Sequence, residues 1–452
     1  MQEEPLQSPV IPTKWELRKQ IIKLAWPVVL EMLLGSLLGT VNMIMVGHLG
    51  AEALAAVSIT VQPVMISFIF FQAFNVGGTA LVARAVGRGD LEEARRVSAL
   101  TLWLNAWAGV VIGLGTFFFA EPLVLFMGAQ PEYLSDAVLY MQYSAIGVMV
   151  QALPMGVSAL MRGAGNTRVP MVFNLVANIA NVIVGAVLIY LLRMGVLGVA
   201  IAQLVAKAVA LVMSMVAMLS ISSLSIRLTP RDVMRPQFSL LGRLIHIGLP
   251  AAGEQIAMRV GLLVFSKLVA DLGTIPFAAH NINMNIQGII FNFSAALGVA
   301  ATSLTGRCLG ACCKELAEAN LKETRRIGMV TSLVFTAIMI AFPGPICSVF
   351  SPEQPVVSAS AAILWIGAII VPFQTSQLIL SGGLRGAGDT VWPLVATMSG
   401  VLFVRVGLGI LFIAVFRWGL AGAWYAFLLD QATRSLVIWL RYKTGKWVEK
   451  RI

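Results

Sequence analysis

Residues 162–167 read RGAGNT, and residues 385–390 read RGAGDT, 223 positions later. The same offset carries Pro27 onto Pro250, Glu31 onto Glu254, Val46 onto Val269 and Leu49-Gly50 onto Leu272-Gly273. It carries Ala55-Ala56 onto Ala278-Ala279, Arg84 onto Arg307, Gly87 onto Gly310, Ala94 onto Ala317 and Pro170 onto Pro393. After one inserted residue the match resumes as Arg193 with Arg417, Gly195 with Gly419 and Gly198 with Gly422. Apolar composition yields chance coincidences of Leu and Ala. It does not hold Pro, Glu, Arg and Gly in one register over such a distance. The chain is therefore written twice.

What is written twice is a membrane unit. Of 452 residues, 58% are hydrophobic and 12% charged, whereas a soluble domain is about 25% charged. With a mean hydropathy of +0.86, an ordinary soluble enzyme is excluded. A bilayer core of ~30 Å needs about 20 apolar residues per helix. Twelve such spans are expected, near 25–47, 56–83, 98–120, 137–160, 170–192, 196–220, 246–270, 279–304, 327–348, 358–382, 391–415 and 420–440. Each copy holds six, so both copies enter the membrane with the same orientation. A pseudo-twofold axis along the membrane normal should relate them, as in carriers built from parallel repeats. The expected fold is an all-α polytopic membrane protein in two six-helix lobes.

The net charge of +11 follows topology. With the N-terminus inside, cytoplasmic segments hold 25 of the 32 Lys and Arg, and the outer loops hold Arg193 and Arg417 alone. That asymmetry places both termini in the cytoplasm and leaves no reason to invoke nucleic acid. The expected layout is a cytoplasmic segment 1–24, an N-lobe 25–220, a loop 221–245, a C-lobe 246–440 and a basic tail 441–452. The loop carries Arg227, Pro230, Arg231, Pro236 and Arg243, and residues 13–24 look like a short amphipathic helix leading into the first span. Residues 1–20 hold no apolar leader core. Cys308, Cys312 and Cys313 lack a nearby His or fourth ligand, so they read as helix-packing residues and not as a metal site.

Carboxylates inside a membrane are costly, at ~2.5–3.5 kcal/mol each or more. Glu31 and Glu254 occupy equivalent places in spans one and seven. Either they exchange protons across the membrane, or a neighbouring helix satisfies them. Polar stripes at helical spacing suggest a wet interior. They run through Asn174, Asn178, Asn181 and Gly185; through Asn281, Asn285, Gly288 and Asn292; through Gln72, Asn75 and Thr79; and through Glu31, Gly35 and Asn42. Lys207, Arg259 and Arg405 also lie within spans, where they pair with Glu31, Glu254 or Asp430 or meet an anionic substrate. The RGAG turns lack phosphate-loop spacing. They read as cytoplasmic turns with Arg at the membrane face and Asn or Asp with Thr capping the next helix. No nucleophile or zinc motif appears, so no enzyme is expected.

VNMIMVGHLGAEALAAVSI at 41–59, the paired RGAG turns, GLPAAGEQ at 248–255 and FVRVGLGILF at 403–412 resemble the multidrug and toxic compound extrusion (MATE) family over nearly the whole chain. The resemblance implies an antiporter that exports organic cations against inward proton or sodium flow. Its acidic positions are only partly met. Asn42 stands where the family often has Asp, Gly185 stands four residues after Asn181 in place of Asp, and Met258 stands where some branches have Glu. The ion-coupling candidates are therefore Glu31, Glu254 and Asp389, with Asn42, Asn178 and Asn181 as neutral oxygens for sodium. The substrate-cavity candidates are Gln72, Asn75, Gln255, Met258, Asn285, Asn292 and Arg405. No cofactor is expected beyond H+ or Na+ as coupling ion, and a monomer in the cell membrane suffices. A lipid-linked glycan flippase or organic-anion exporter of the same superfamily is the alternative, favoured if Lys207, Arg259 and Arg405 face the cavity.

Overall fold

A computed structural model describes residues 12–220, 232–233 and 236–450. Among the described residues, twelve long helices follow one another: α1 (Lys14–Gly47), α2 (Ala51–Arg88), α3 (Leu91–Phe118), α4 (Leu134–Gly163), α5 (Arg168–Leu191), α6 (Gly195–Ser220), α7 (Leu241–Ala270), α8 (Thr274–Gly310), α9 (Lys314–Ala341), α10 (Gln354–Gly386), α11 (Val391–Val415) and α12 (Gly419–Lys443). Eleven are long and apolar enough to cross a membrane. The twelfth, α12, is also long enough at 1.5 Å per residue, but Asp430 and Arg434 dilute its apolar character. Both are buried against other helices.

The duplication is visible in the boundaries. α2 and α8 begin at Ala51 and Thr274, α3 and α9 at Leu91 and Lys314, and α5 and α11 at Arg168 and Val391, each pair 223 apart. Two short helices, Ala120–Phe126 and Pro343–Ser348, keep the same register. The inserted residue of the second copy also has a place. Residues Met398–Arg405 of α11 are π-helical, while the matching part of α5 is ordinary α-helix. One extra residue in a helix is accommodated as such a bulge. Past it, single π turns at Val187–Leu191 and Leu411–Val415 match again.

Two expectations change in detail. Residues 13–24 are not a separate amphipathic helix. Thr13 caps α1 in a capping box with Glu16, and the helix runs on through Pro27 into the membrane. Arg243 is not in a loop but in the first turn of α7, paired with Glu93 at 2.8 Å. Arg227, Pro230 and Arg231 lie outside the described residues.

Within the N-lobe, α2, α3 and α4 share a core around Leu81, Leu100, Leu102 and Val157. Within the C-lobe, α8, α10 and α12 do so around Leu297, Leu380 and Ile438. Ile21, Leu24 and Ala25 of α1 join that second core. The apolar contact between lobes is thus concentrated at the end of the molecule that carries Lys14 and Lys450, called here the basic face.

Candidate functional site

Each lobe holds a glutamate of its first helix in the same way, half-buried at Glu31 and buried at Glu254. In the N-lobe, Arg162 Nη2 donates to Glu31 Oε1 at 2.6 Å, and Asn174 Nδ2 donates to the same oxygen at 2.8 Å. In the C-lobe, Arg385 Nη2 donates to both Glu254 oxygens at 2.7 Å, and Thr397 Oγ1 donates at 3.4 Å. Both arginines stand 131 residues after their glutamate, and Asn174 and Thr397 stand 143 after. The arginine that opens each RGAG turn therefore points inward. It joins the first, fourth and fifth helices of its lobe through one carboxylate. A charge pair removed from water needs this extra hydrogen bonding to offset desolvation.

The turns themselves differ. Asn166 accepts from the Val169 backbone at 3.3 Å, so it caps α5, whereas Thr167 makes no such cap. Asp389 caps nothing. It is 1% exposed and accepts from Arg441 Nε at 2.8 Å and Lys450 Nζ at 3.0 Å. The first bond ties down the last turn of α12 and the second ties down the tail beyond it, whose Trp447 is fully buried. The aspartate expected to act at the mouth of α11 is thus a tail clamp.

The other singled-out residues divide into three groups. Gln72 and Asn285 are exposed, and Gln255, Met258 and Asn292 are half-buried, all on the helices through which the lobes face each other. Asn75 is buried within the N-lobe, accepting from Asn105 Nδ2 at 3.0 Å, and does not face the other lobe. Arg405 is likewise interior. Its Nε donates to Asp430 Oδ2 at 2.9 Å, and its guanidinium lies 4.0 Å from the Phe427 ring centroid. It stands on the π-helical segment that only the C-lobe has. Arg434 reaches from the same helix as Asp430 to Thr397 Oγ1 at 3.1 Å, continuing the polar chain to Glu254. Asn42 and Asn178 are half-buried, and Asn181 is buried with its Oδ1 unpartnered.

The lobes meet symmetrically at the basic face. A Cβ on Gly87 would strike the carbonyl of Arg307, and one on Gly310 would strike that of Arg84. Ala83 and Gly306 touch at the same crossing. These are two small-xxx-small pairs, one per repeat, letting α2 and α8 approach at the backbone. Each adjoining arginine then reaches across to the other lobe. Arg84 Nη2 donates to Lys450 O at 2.7 Å and Ala387 O at 3.5 Å. The Arg307 guanidinium packs on Gly165, in the opposite turn. Gly77 and Gly248 bring α2 equally close to α7. Contacts between the lobes continue away from this face. Asn292 Nδ2 still donates to Ser36 Oγ at 3.0 Å, and Arg259 touches Met65 Sδ at 3.9 Å. Gly35, Gly39 and Gly288 face open space.

Sequence reasoning reached the glutamates but not their arginines. The signal was present, since the Glu–Arg spacing is identical in both copies. It named Asp430 among the possible partners of Arg405, but it missed Arg84 and Arg307 as partners of the opposite turns, and Arg434.

A family model, MatE, matches residues 27–187 and 250–411, one block in each lobe. A probable multidrug resistance protein NorM of Thermotoga maritima is 27% identical over 96% of this chain and 94% of its own length. The multidrug resistance protein PmpM of Pseudomonas aeruginosa is 25% identical over 90% and 86%. A solved outward-facing multidrug resistance transporter of the MOP superfamily superposes with a TM-score of 0.90, at 22% identity, covering 99% of this chain and all of that one. A MOP superfamily transporter from Pyrococcus furiosus, whose binding pocket has reversed polarity, superposes at 0.89 with 22% identity.

Proposed function

Because the chain belongs to the MatE family of transporters, we propose that it exports amphipathic organic cations by alternating access, in exchange for protons or sodium ions moving inward. It stands in the cell membrane with both termini in the cytoplasm, and a monomer suffices. One observation carries the reading. The two repeat-related lobes are joined at the basic face by matched contacts, while further along the facing helices Gly35, Gly39 and Gly288 have open space beside them. Two repeat-related bundles that close on each other at one end suit one half of a rocking cycle.

Coupling is assigned to Glu254, with Glu31 as its N-lobe counterpart. A proton on Glu254 removes the charge that Arg385 holds at 2.7 Å, and so loosens α7 from α10. Asn42, Asn178 and Asn181 offer neutral oxygens to a sodium ion, a weak set without a carboxylate. Substrate is taken up between the lobes, near Gln72, Gln255, Met258, Asn285 and Asn292. Asn75, Arg405 and Asp389 have structural tasks in this scheme.

A second reading, an organic-anion or lipid-glycan exporter, is favoured by Arg259. It is exposed where α7 faces α2, and its described contact is with Met65 and not with a carboxylate. The discriminating experiment is dye-cation flux in proteoliposomes under a pH gradient or a sodium gradient, with native protein beside Glu254→Gln. Flux driven by pH and lost in the variant supports the first reading. No cation flux under either gradient, with uptake of an anionic dye abolished by Arg259→Gln, overturns it in favour of the second.

A further inference from the structure

On the basic face, to one side of the inter-lobe seam, α9 and the end of α12 enclose a cavity of about 650 Å³. Four cations line it: Lys322, Arg325 and Arg326 of α9, and Lys443 at the end of α12. Two carboxylates line it as well, Glu318 and Glu323. Glu323 is already neutralised. It is 6% exposed, accepts from Arg18 Nε of α1 at 3.1 Å, and lies 3.8 Å from Arg326. Arg325 donates to Ser376 Oγ at 3.1 Å. Lys443 lies over the Trp439 ring at 5.4 Å, and neither it nor Lys322 has a carboxylate partner among the described residues. The cavity thus keeps an excess of positive charge that the protein does not satisfy.

Its depth is equally informative. Met329 also lines it, two helical turns beyond Lys322, or roughly 10 Å at 1.5 Å per residue. Against the span expected at 327–348, Lys322, Arg325 and Arg326 stand before its edge and Met329 stands within it. A small soluble anion has no use for a methionine floor. An amphiphile with a phosphate head and an acyl tail uses both. Basic pockets between membrane helices at that level suit anionic lipid headgroups.

We propose that this cavity binds a phosphate-bearing anion, and that its source is an anionic phospholipid of the leaflet on the basic side. The occupant lies one ion pair from the lobe contact, because Arg18 belongs to the N-lobe and Glu323 to the C-lobe.

The test uses the full-length protein in phosphatidylcholine nanodiscs, with phosphatidylglycerol as probe and native mass spectrometry reading the lipid retained. The pocket variant is Lys322→Gln with Arg326→Gln and Lys443→Gln. A charge-matched control is Lys14→Gln with Lys19→Gln and Lys23→Gln, three exposed cations of α1. The native protein and control should retain phosphatidylglycerol, and the pocket variant should lose affinity at least about tenfold. Should the triple variant prove polydisperse, Lys322→Gln alone, an exposed position, should still weaken retention severalfold. Equal retention by native protein and pocket variants overturns the site, as does an equal loss in the control, which would reveal only general surface attraction. Displacement of the lipid by inorganic phosphate, at the same residues, supports the phosphate chemistry and moves its source to solution.

Discussion

Glu254 and Glu31 are bound by the same kind of partner yet are not equally exposed. The Glu254 side chain is 5% exposed and that of Glu31 13%. Glu31 also keeps the Asn174 bond if its arginine is lost, at 2.8 Å against 3.4 Å for Thr397 on Glu254. Removing one partner of a buried pair leaves an uncompensated charge, at a cost of about 3 kcal/mol. Arg385→Ala should therefore lower the melting temperature in detergent clearly more than Arg162→Ala, and Arg385→Ala with Glu254→Gln should recover part of the loss. A loss that is not recovered would mean that Arg385 stabilises by packing and not through the pair. Asp389 permits a sharper comparison, because the N-lobe itself supplies the neutral residue, Asn166. Asp389→Asn should free Lys450 and Arg441, and limited proteolysis should then cut the tail near Gly445 faster than in the native protein.

At the scale of elements, the repeat made most of the architecture legible. Twelve spans, their pairing and the presence of one inserted residue between Pro393 and Arg417 could be read from residue register. The π-helical form of Met398–Arg405 could not, because a single insertion is equally compatible with a longer loop. What decides it is that Arg405 must reach Asp430 on α12, a contact distant in sequence. The site was legible only in part for the same reason. Polar stripes give the face of a helix but not which neighbour it meets, so Asn75 and Arg405 were assigned to a cavity when they lie inside their lobes. The repeat also exposes one local misfit. Gly89, after α2, has φ 77°, and its counterpart Cys312 has φ 58°. A left-handed backbone costs a residue with a Cβ roughly 1–2 kcal/mol, and Gly escapes that cost. Cys312→Gly should leave the fold intact and raise stability by up to about 1 kcal/mol, read as a higher melting temperature.

For the whole molecule, the basic-face closure is a single symmetric device. Two backbone crossings at Gly87 and Gly310 bring α2 and α8 together, and two arginines reach past them to the opposite RGAG turns. The crossings are steric and the arginines are polar, so they can be separated experimentally. Arg84→Ala with Arg307→Ala removes the reach and leaves the packing. A Cβ at Gly87 and Gly310, as Ala, blocks the packing and leaves the guanidinium groups. If closure is one state of a two-state equilibrium, each change should raise the population of molecules open at the basic face. Electron–electron distances between spin labels at Arg96 on α3 and Glu315 on α9, in protein whose four native cysteines are replaced by Ser, should report a longer component in both variants. The glycine variants should show the larger shift, because a clash with backbone carbonyls cannot be relieved by a side-chain rotation. An unchanged distance distribution in both would mean that the lobes are held by the apolar contact of Ile21 and Leu24 with Leu297 and Leu304 alone, with the crossing and the arginines serving only as its seal.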